Sequence, residues 1–321
     1  MSPNPTNPDA VDLIICTRDR ADDLRATLTN LQNPAVTAGR DARLTVIDNG
    51  STDHTRQVVE DQPWPHLKPN YHYDSRGGLA AARNAGLAVT DRPWVVYIDD
   101  DVSPCDGWLA AMTAPLIDGT FDAVVGTVRP AEHLRRDWMG RAVASALALN
   151  EHEAQGPHPP NPPNLIGANM AFGRHVLQHV NGFDPVLDPG GLGYGGDTLF
   201  SMQLTAAGLR VGRALDAIVD HHFHADRLLR RSLMSSLPKF ARSRRYINHR
   251  YGLWHDNRVA WKTVAVLCKL GAFYLRHPLA CRQAEGCTDR EFKLRGRLAY
   301  YLASTRGAPA PQAAKPPAPT S

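Results

Sequence analysis

Apolar runs and helical spacings alternate along the first two thirds of the chain. "VDLIIC" (residues 11–16) is β-branched and too short for a helix, so it predicts a buried strand. In "DRADDLRATLTNLQ", Leu24, Leu28 and Leu31 recur at helical spacing. "RLTVID" predicts a second strand. Its exit, "NGSTDHTRQVVE", places Ser51 or Thr52 as cap of a short helix. After "YHY" comes "GGLAAARNAGLAV", a helix opened by glycines. "WVVYID" predicts the next strand and "GWLAAMTAPLI" the helix after it. Such alternation predicts the α/β class, with an open, Rossmann-like and mostly parallel sheet flanked by helices.

The second half is less regular. "DAVVGTVRP" and "LIGANMAF" predict strands, separated by "EHEAQGPHPPNPPN", a proline-rich loop with little to pack. "GDTLFSMQLTAAG" predicts a helix with Leu199, Met202 and Ala206 on one face. Residues 1–10 are expected to be disordered, 11–226 to form the α/β domain, 227–304 a basic amphipathic helical extension, and 305–321 a disordered Pro/Ala-rich tail. No internal repeat is visible.

Hydrophobic residues at 43% and charged residues at 21% are ordinary for a soluble globular chain of 321 residues. A net charge of +4 is too small to argue for nucleic acid as a partner. The charge is uneven, however, because residues 225–306 hold about half of the 36 Lys and Arg. An anionic surface, such as a membrane, and a solvated helical face explain that equally well. "VAWKTVAVLCKLGAFYL" is interrupted by Lys262 and Lys269 and would lie on a membrane more readily than cross it. Cys16, Cys105, Cys268, Cys281 and Cys287 show no zinc-type spacing, and their scatter fits a reducing, cytoplasmic compartment. The start has no apolar core of a secretory signal.

The candidate chemistry sits where strands end. In "VVYIDDDVSP" three carboxylates follow a buried strand, and their mutual repulsion calls for a cation. Strand alternation lets Asp99 and Asp101 share one cleft while Asp100 points elsewhere. Mg2+ or Mn2+ held this way would neutralise a diphosphate leaving group. Asp48 could accept hydrogen bonds from a pyrimidine imide, or merely form the turn that follows it. Arg18 or Arg20 could contact base or phosphate. Asp53 reads as a helix-capping residue. Gly77 and Gly78 open a helix whose N-terminus could receive a phosphate, with Arg83 and Asn84 one turn in. Neither a P-loop nor a dinucleotide-binding turn is present. Thr17, Arg18, Asp48 and Asp99–Asp101 all fall at strand carboxyl ends, where open α/β sheets bind ligands.

These segments, with "RGGLAAARNAGL", "GANMAFGRHVLQHVNGFDP" and "GYGGDTLFSMQLTAAG", have the order and spacing of the family 2 glycosyltransferases. The resemblance spans residues 11–226. It implies the GT-A fold and an inverting, metal-dependent, hexosyltransferase-like enzyme. By that resemblance Asp48 reads the base of a UDP- or dTDP-sugar, with Thr17, Arg18 and Arg20 nearby. Gly78, Arg83, Asp99 and Asp100 would complete the donor site, and Asn169 would lie beside the sugar. Asp99 and Asp101 would ligate the metal. A histidine expected near it falls in "IVDHHFHAD", where a His-x-His pattern favours His222, then His224, over His221. The family's Glu-Asp pair reads Gly196-Asp197 here: Asp197 matches the catalytic base and the Glu is missing, which opens the question of how the acceptor is oriented.

The acceptor is expected to be a hydroxyl, lipid-linked at the inner face of the cell membrane or soluble beneath a helical lid. Polysaccharide, glycolipid and secondary-metabolite assembly all suit such a reaction. A sugar nucleotidyltransferase would carry a Gly-rich loop after the first strand, which "CTRDRADD" lacks. A non-catalytic nucleotide-sugar-binding subunit would need neither the metal carboxylates nor a base.

Overall fold

The computed structural model describes residues 7–154, 162–251, 259–280 and 283–305. Most of the expected disordered ends, part of the proline-rich loop and Cys281 lie outside these residues. The chain divides into two compact units, Met1–Arg227 and Leu228–Ser321.

The first unit is built on one mixed sheet. Its strands are β1 (Ala10–Thr17), β2 (Asp41–Asp48), β3 (Asn70–Tyr73), β4 (Trp94–Ile98), β5 (Val102–Pro104), β6 (Ala123–Pro130), β7 (Asn169–Gly173) and β8 (Val211–His221). They lie in the order β3-β2-β1-β4-β7-β6-β8-β5. The β3-β2-β1-β4 half is parallel, as the strand–helix alternation predicts. β7 then runs antiparallel to both β4 and β6, whereas β6 and β8 are parallel and β5 pairs antiparallel to β8.

Apolar runs buried on both faces account for this sheet. On one side Ile14, Ile47, Tyr97 and Phe172 pack against Ala82 and Ala85 of the helix Leu79–Ala88 and against Phe183 and Phe200. Leu24, Leu28, Trp108 and Met112, from the helices Ala21–Asn30 and Trp108–Ile117, are also fully buried. Asp53, not Ser51 or Thr52, does the capping: its Oδ1 accepts from Thr55 N at 3.0 Å and its Oδ2 from Ala21 N at 3.0 Å. One carboxylate thereby holds the first turns of two helices near the ends of β1 and β2.

The second unit consists of the helices Arg230–Arg250, Val259–Arg276 and Asp289–Thr305. Val266, Leu270, Phe273 and Leu294 form its small core. The fully buried Glu291 is bonded by Arg230, by the Tyr274 hydroxyl and, at 3.2 Å, by Arg295 Nε. A buried carboxylate with that many donors stays charged at tolerable cost.

Candidate active site and metal centre

Register sets the site. Thr17 pairs with Asp48 across β1 and β2, and Ile15 with Ile98 across β1 and β4, so the residues after Ile98 emerge beside Thr17. Thr17 Oγ1 donates to Asp100 Oδ2 at 2.6 Å. The Thr27 hydroxyl, from the neighbouring helix, donates to the Asp100 carbonyl at 2.8 Å and accepts from Val102 N at 3.2 Å. The carboxylate segment is therefore held by its backbone as well as by its side chains.

In the turn between β4 and β5, Asp100 lines a neighbouring hollow with Asp99 rather than pointing elsewhere, while Asp99 and Asp101 come together with His221 at the end of β8. One ligand atom from each lies within 4.8 Å of the others. His221 Nε2 stands 3.3 Å from Asp101 Oδ1. That oxygen and His221 Nδ1 are buried with no hydrogen-bond partner among the described residues. An orphaned carboxylate oxygen beside a second carboxylate and an imidazole is a strained arrangement that a divalent cation would relieve. Electrostatics agree. Burial and the neighbouring Asp101 raise the pKa of Asp99. Burial pushes Asp100 up to about 7 against the pull of Arg20. Burial also opposes ionisation of Asp101, but His221 and Arg20 outweigh it and hold that carboxyl well below its usual range.

Beside the carboxylates opens a cavity of about 370 Å³. Thr17, Arg18, Arg20, Gly78, Asp99 and Asp100 line it, so two thirds of the residues expected at the donor are brought to one hollow. Asn49, Pro189 and Gly190 line it too. Gly78 (φ 93°) begins the helix Leu79–Ala88, whose first N–H, of Leu79, is taken by the Pro189 carbonyl at 2.9 Å. Arg20 does not reach into empty space: its Nη1 is 3.2 Å from Asp100 Oδ1 and its Nη2 donates to Asp101 Oδ2 at 2.7 Å.

Other expected residues sit elsewhere. Asp48 forms the turn that the sequence also allowed, accepting from Ser51 N and from the Tyr71 hydroxyl, both at 2.7 Å. Asn169 is corrected: it is 0% exposed, and its amide is spent on Trp108 Nε1 (2.9 Å) and on the carbonyls of Thr127 (3.1 Å) and Ala217 (2.8 Å). It ties β6, β7 and β8 together and has no surface for a sugar. Asn84 likewise clamps the backbone of Phe183, at 2.7 and 2.9 Å, and faces no cleft. His222 is corrected in favour of His221. Ala217, Val219 and His221 point inward at alternate positions of β8, which leaves His222 exposed beyond the strand end, 3.0 Å from Ser103 Oγ. His224 is exposed beside Asp226.

Arg83 is a buried hub. Its Nη1 donates to Asp188 Oδ2 at 3.1 Å, and its Nη2 lies 4.0 Å from Asp99 Oδ1. Burial opposes the Arg83 charge, yet Asp188, Asp99 and Asp197 together hold it protonated. Asp197 opens the helix Gly196–Ala206, accepting from Thr198 N at 2.7 Å and from Gly167 N at 3.2 Å.

Sequence reasoning missed Asp188. Its Oδ1 accepts from Gly196 N at 2.7 Å, and a Cβ on Gly196 would stand 2.0 Å from its Oδ2. A carboxylate from another segment thus occupies the space where the side chain of residue 196 would begin. Arg227 was missed as well. Its guanidinium lies 5.4 Å from the Phe223 ring, and burial lowers its pKa against the pull of Asp101, Tyr194 and Asp99.

Comparison with known proteins decides the family. The sequence model described as glycosyl transferase family 2 matches residues 12–180, more than half of the chain. The chain belongs to glycosyl transferase family 2. Among curated proteins it is similar to the pre-mycofactocin glycosyltransferase of Mycobacterium tuberculosis, in two strains, at 28% identity over 220 residues. That match covers 66% of this chain and 42% of the relative, so the chain spans less than half the length of the curated relatives it matches. Among solved structures it resembles the mannosyltransferase PcManGT from Pyrobaculum calidifontis, in complex with GDP-Man and Mn2+, at TM-score 0.57 and 19% identity over 92% of this chain and 85% of that one. It also resembles TarS 1-349 of S. aureus, at TM-score 0.51 and 16% identity over 79% and 69% of the two chains. These likenesses show the GT-A fold.

Proposed function

We propose that this family 2 enzyme moves a sugar from a nucleoside-diphosphate-sugar to an acceptor hydroxyl with inversion at the anomeric carbon. One observation carries the reading: Asp99, Asp101 and His221 converge beside the cavity of about 370 Å³ at the strand ends, a size suited to a nucleotide. These three residues would hold the metal, and their mixed oxygen and nitrogen donors suit Mn2+ better than the all-oxygen preference of Mg2+. When bound, the cation supplies charge neutralisation for the departing diphosphate. Thr17, Arg18, Gly78 and Asn49 line the space left for the nucleotide.

Asp197 is proposed as the base that takes the acceptor proton onto a carboxylate oxygen as the acceptor attacks the face opposite the diphosphate. Two backbone N–H bonds hold its carboxylate oriented. Arg83 and Asp188 fix the start of its helix. We propose a UDP- or dTDP-sugar as donor. GDP-sugars belong in the same test because the PcManGT complex holds GDP-Man. The acceptor is proposed to be carried by a lipid at the cytoplasmic face of the membrane, which the basic second unit supports.

The test is a panel of UDP-, dTDP- and GDP-sugars offered to the whole chain with Mn2+, read by thermal shift and by release of nucleoside diphosphate. Metal-dependent stabilisation and release with one donor are expected. A folded chain that binds neither Mn2+ nor any donor overturns the reading.

A further inference from the structure

The helix Val259–Arg276 is apolar on two sides. Val266, Leu270 and Phe273 face the core of the second unit. On the other side Trp261 (70%), Val264 (53%), Leu267 (50%) and Leu275 (86%) are exposed. At 100° per residue these four fall within one arc of roughly 120°. Lys262, Lys269 and Arg276 recur every seventh residue and so form a single row beside the arc, and the helix has no acidic residue. Leu279, just past the helix end, is exposed too.

An apolar stripe of this kind left in water calls for an occupant. A second copy of the chain would cover the stripe, but it would bring two rows of cations together with no acidic residue on either helix to offset them. An anionic bilayer satisfies both features, since acyl chains take the apolar arc while headgroups take the cations. No described helix is long and apolar enough to cross a membrane. We infer that the helix Val259–Arg276 lies in the headgroup plane of an anionic bilayer, with Trp261, Val264, Leu267 and Leu275 dipped into the lipid. Three cations at such a surface favour adsorption roughly 100-fold. The inference deepens the membrane part of the proposed function but does not depend on catalysis, because its readout is adsorption.

The experiment is co-sedimentation of the whole chain with vesicles of phosphatidylcholine alone or mixed with phosphatidylglycerol. Adsorption is expected on the mixed vesicles only, weakening with salt. The exposed pair Leu267→Glu/Leu275→Glu is expected to lower it at least ~100-fold, with melting temperature and Mn2+ binding unchanged. Trp261→Ser alone provides a milder variant, expected to lower it about tenfold, should the pair fold poorly. Equal adsorption on both vesicle types, or adsorption that survives these folded variants, overturns the inference. So does a dimer, seen by sedimentation velocity, that the Leu→Glu pair dissolves while no vesicle is bound.

Discussion

Gly196 opens the helix that carries Asp197, and a methyl group has no room there. A Cβ would stand 2.0 Å from Asp188 Oδ2, 2.6 Å from its Cγ and 2.9 Å from its Oδ1. Asp188 cannot withdraw cheaply. Its Oδ1 holds Gly196 N at 2.7 Å and its Oδ2 holds Arg83 at 3.1 Å, while its own backbone sits at φ 65°, where few side-chain-bearing residues rest. Alanine would gain at most about 1 kcal/mol in helix propensity over glycine. Overpacking costs about 1–3 kcal/mol, and loosening the buried Arg83–Asp188 pair adds part of the ~3–5 kcal/mol that removal of one partner costs. The clash wins, and Gly196→Ala is expected to destabilise the chain by roughly 2–4 kcal/mol. Asp188→Ala alone leaves Arg83 with Asp99 at 4.0 Å as its nearest carboxylate and is costly for that reason. In the double variant the clash is gone, so its cost falls below the sum of the two by about 1–3 kcal/mol. Urea unfolding of all four chains measures this, with donor turnover followed in parallel. Additive energies, or a Gly196→Ala chain of wild-type stability, would refute the reasoning.

Further outcomes follow from the metal corner and from the second unit. His221→Ala is expected to weaken Mn2+ binding by at least ~10-fold, and His222→Ala to leave it unchanged, as calorimetry would show; the reverse order would move the metal away from β8. Asp197→Asn is expected to lower transfer by roughly 10²–10⁴ with donor binding intact, and near-normal transfer would remove it as the base. Burial alone would push Glu291 up, but the bonds from Arg230 and Tyr274 outweigh it and place its folded pKa below its unfolded value. Its stabilisation is therefore complete above that unfolded value and lost as pH falls through the folded one. Glu291→Gln should flatten the acid limb of a stability–pH curve, and an unchanged acid limb would contradict that ion cluster.

What the chain discloses on its own is local, and the site's misplacements follow from that. The strand ends were legible because β-branched runs and their polar exits lie next to one another in sequence. They brought Thr17, Asp99 and Asp101 to one corner. The inward face of β8 went unread: counting by twos from Val219 reaches His221, whereas the His-x-His spacing selected residues that the strand does not contain. Strand direction was not legible, since a short apolar run such as β7 reads the same whether it lies parallel or antiparallel. Asn169 shows the deeper limit. Its motif places it near the donor, but its partners Thr127, Ala217 and Trp108 stand 42, 48 and 61 residues away, and only their arrival turns a polar side chain into a strand clamp. Asp188 is the same case with the opposite sign. It looks like a loop residue until Arg83, 105 residues distant, needs a counter-charge and Gly196 leaves it space. The resemblance expects a glutamate at position 196, and the Cβ of any such side chain would stand 2.0 Å from Asp188 Oδ2, in space the aspartate already fills. For that reason Gly196→Glu should be tolerated only where Asp188 has been shortened to alanine, and a stable, active Gly196→Glu chain that retains Asp188 would undo the link.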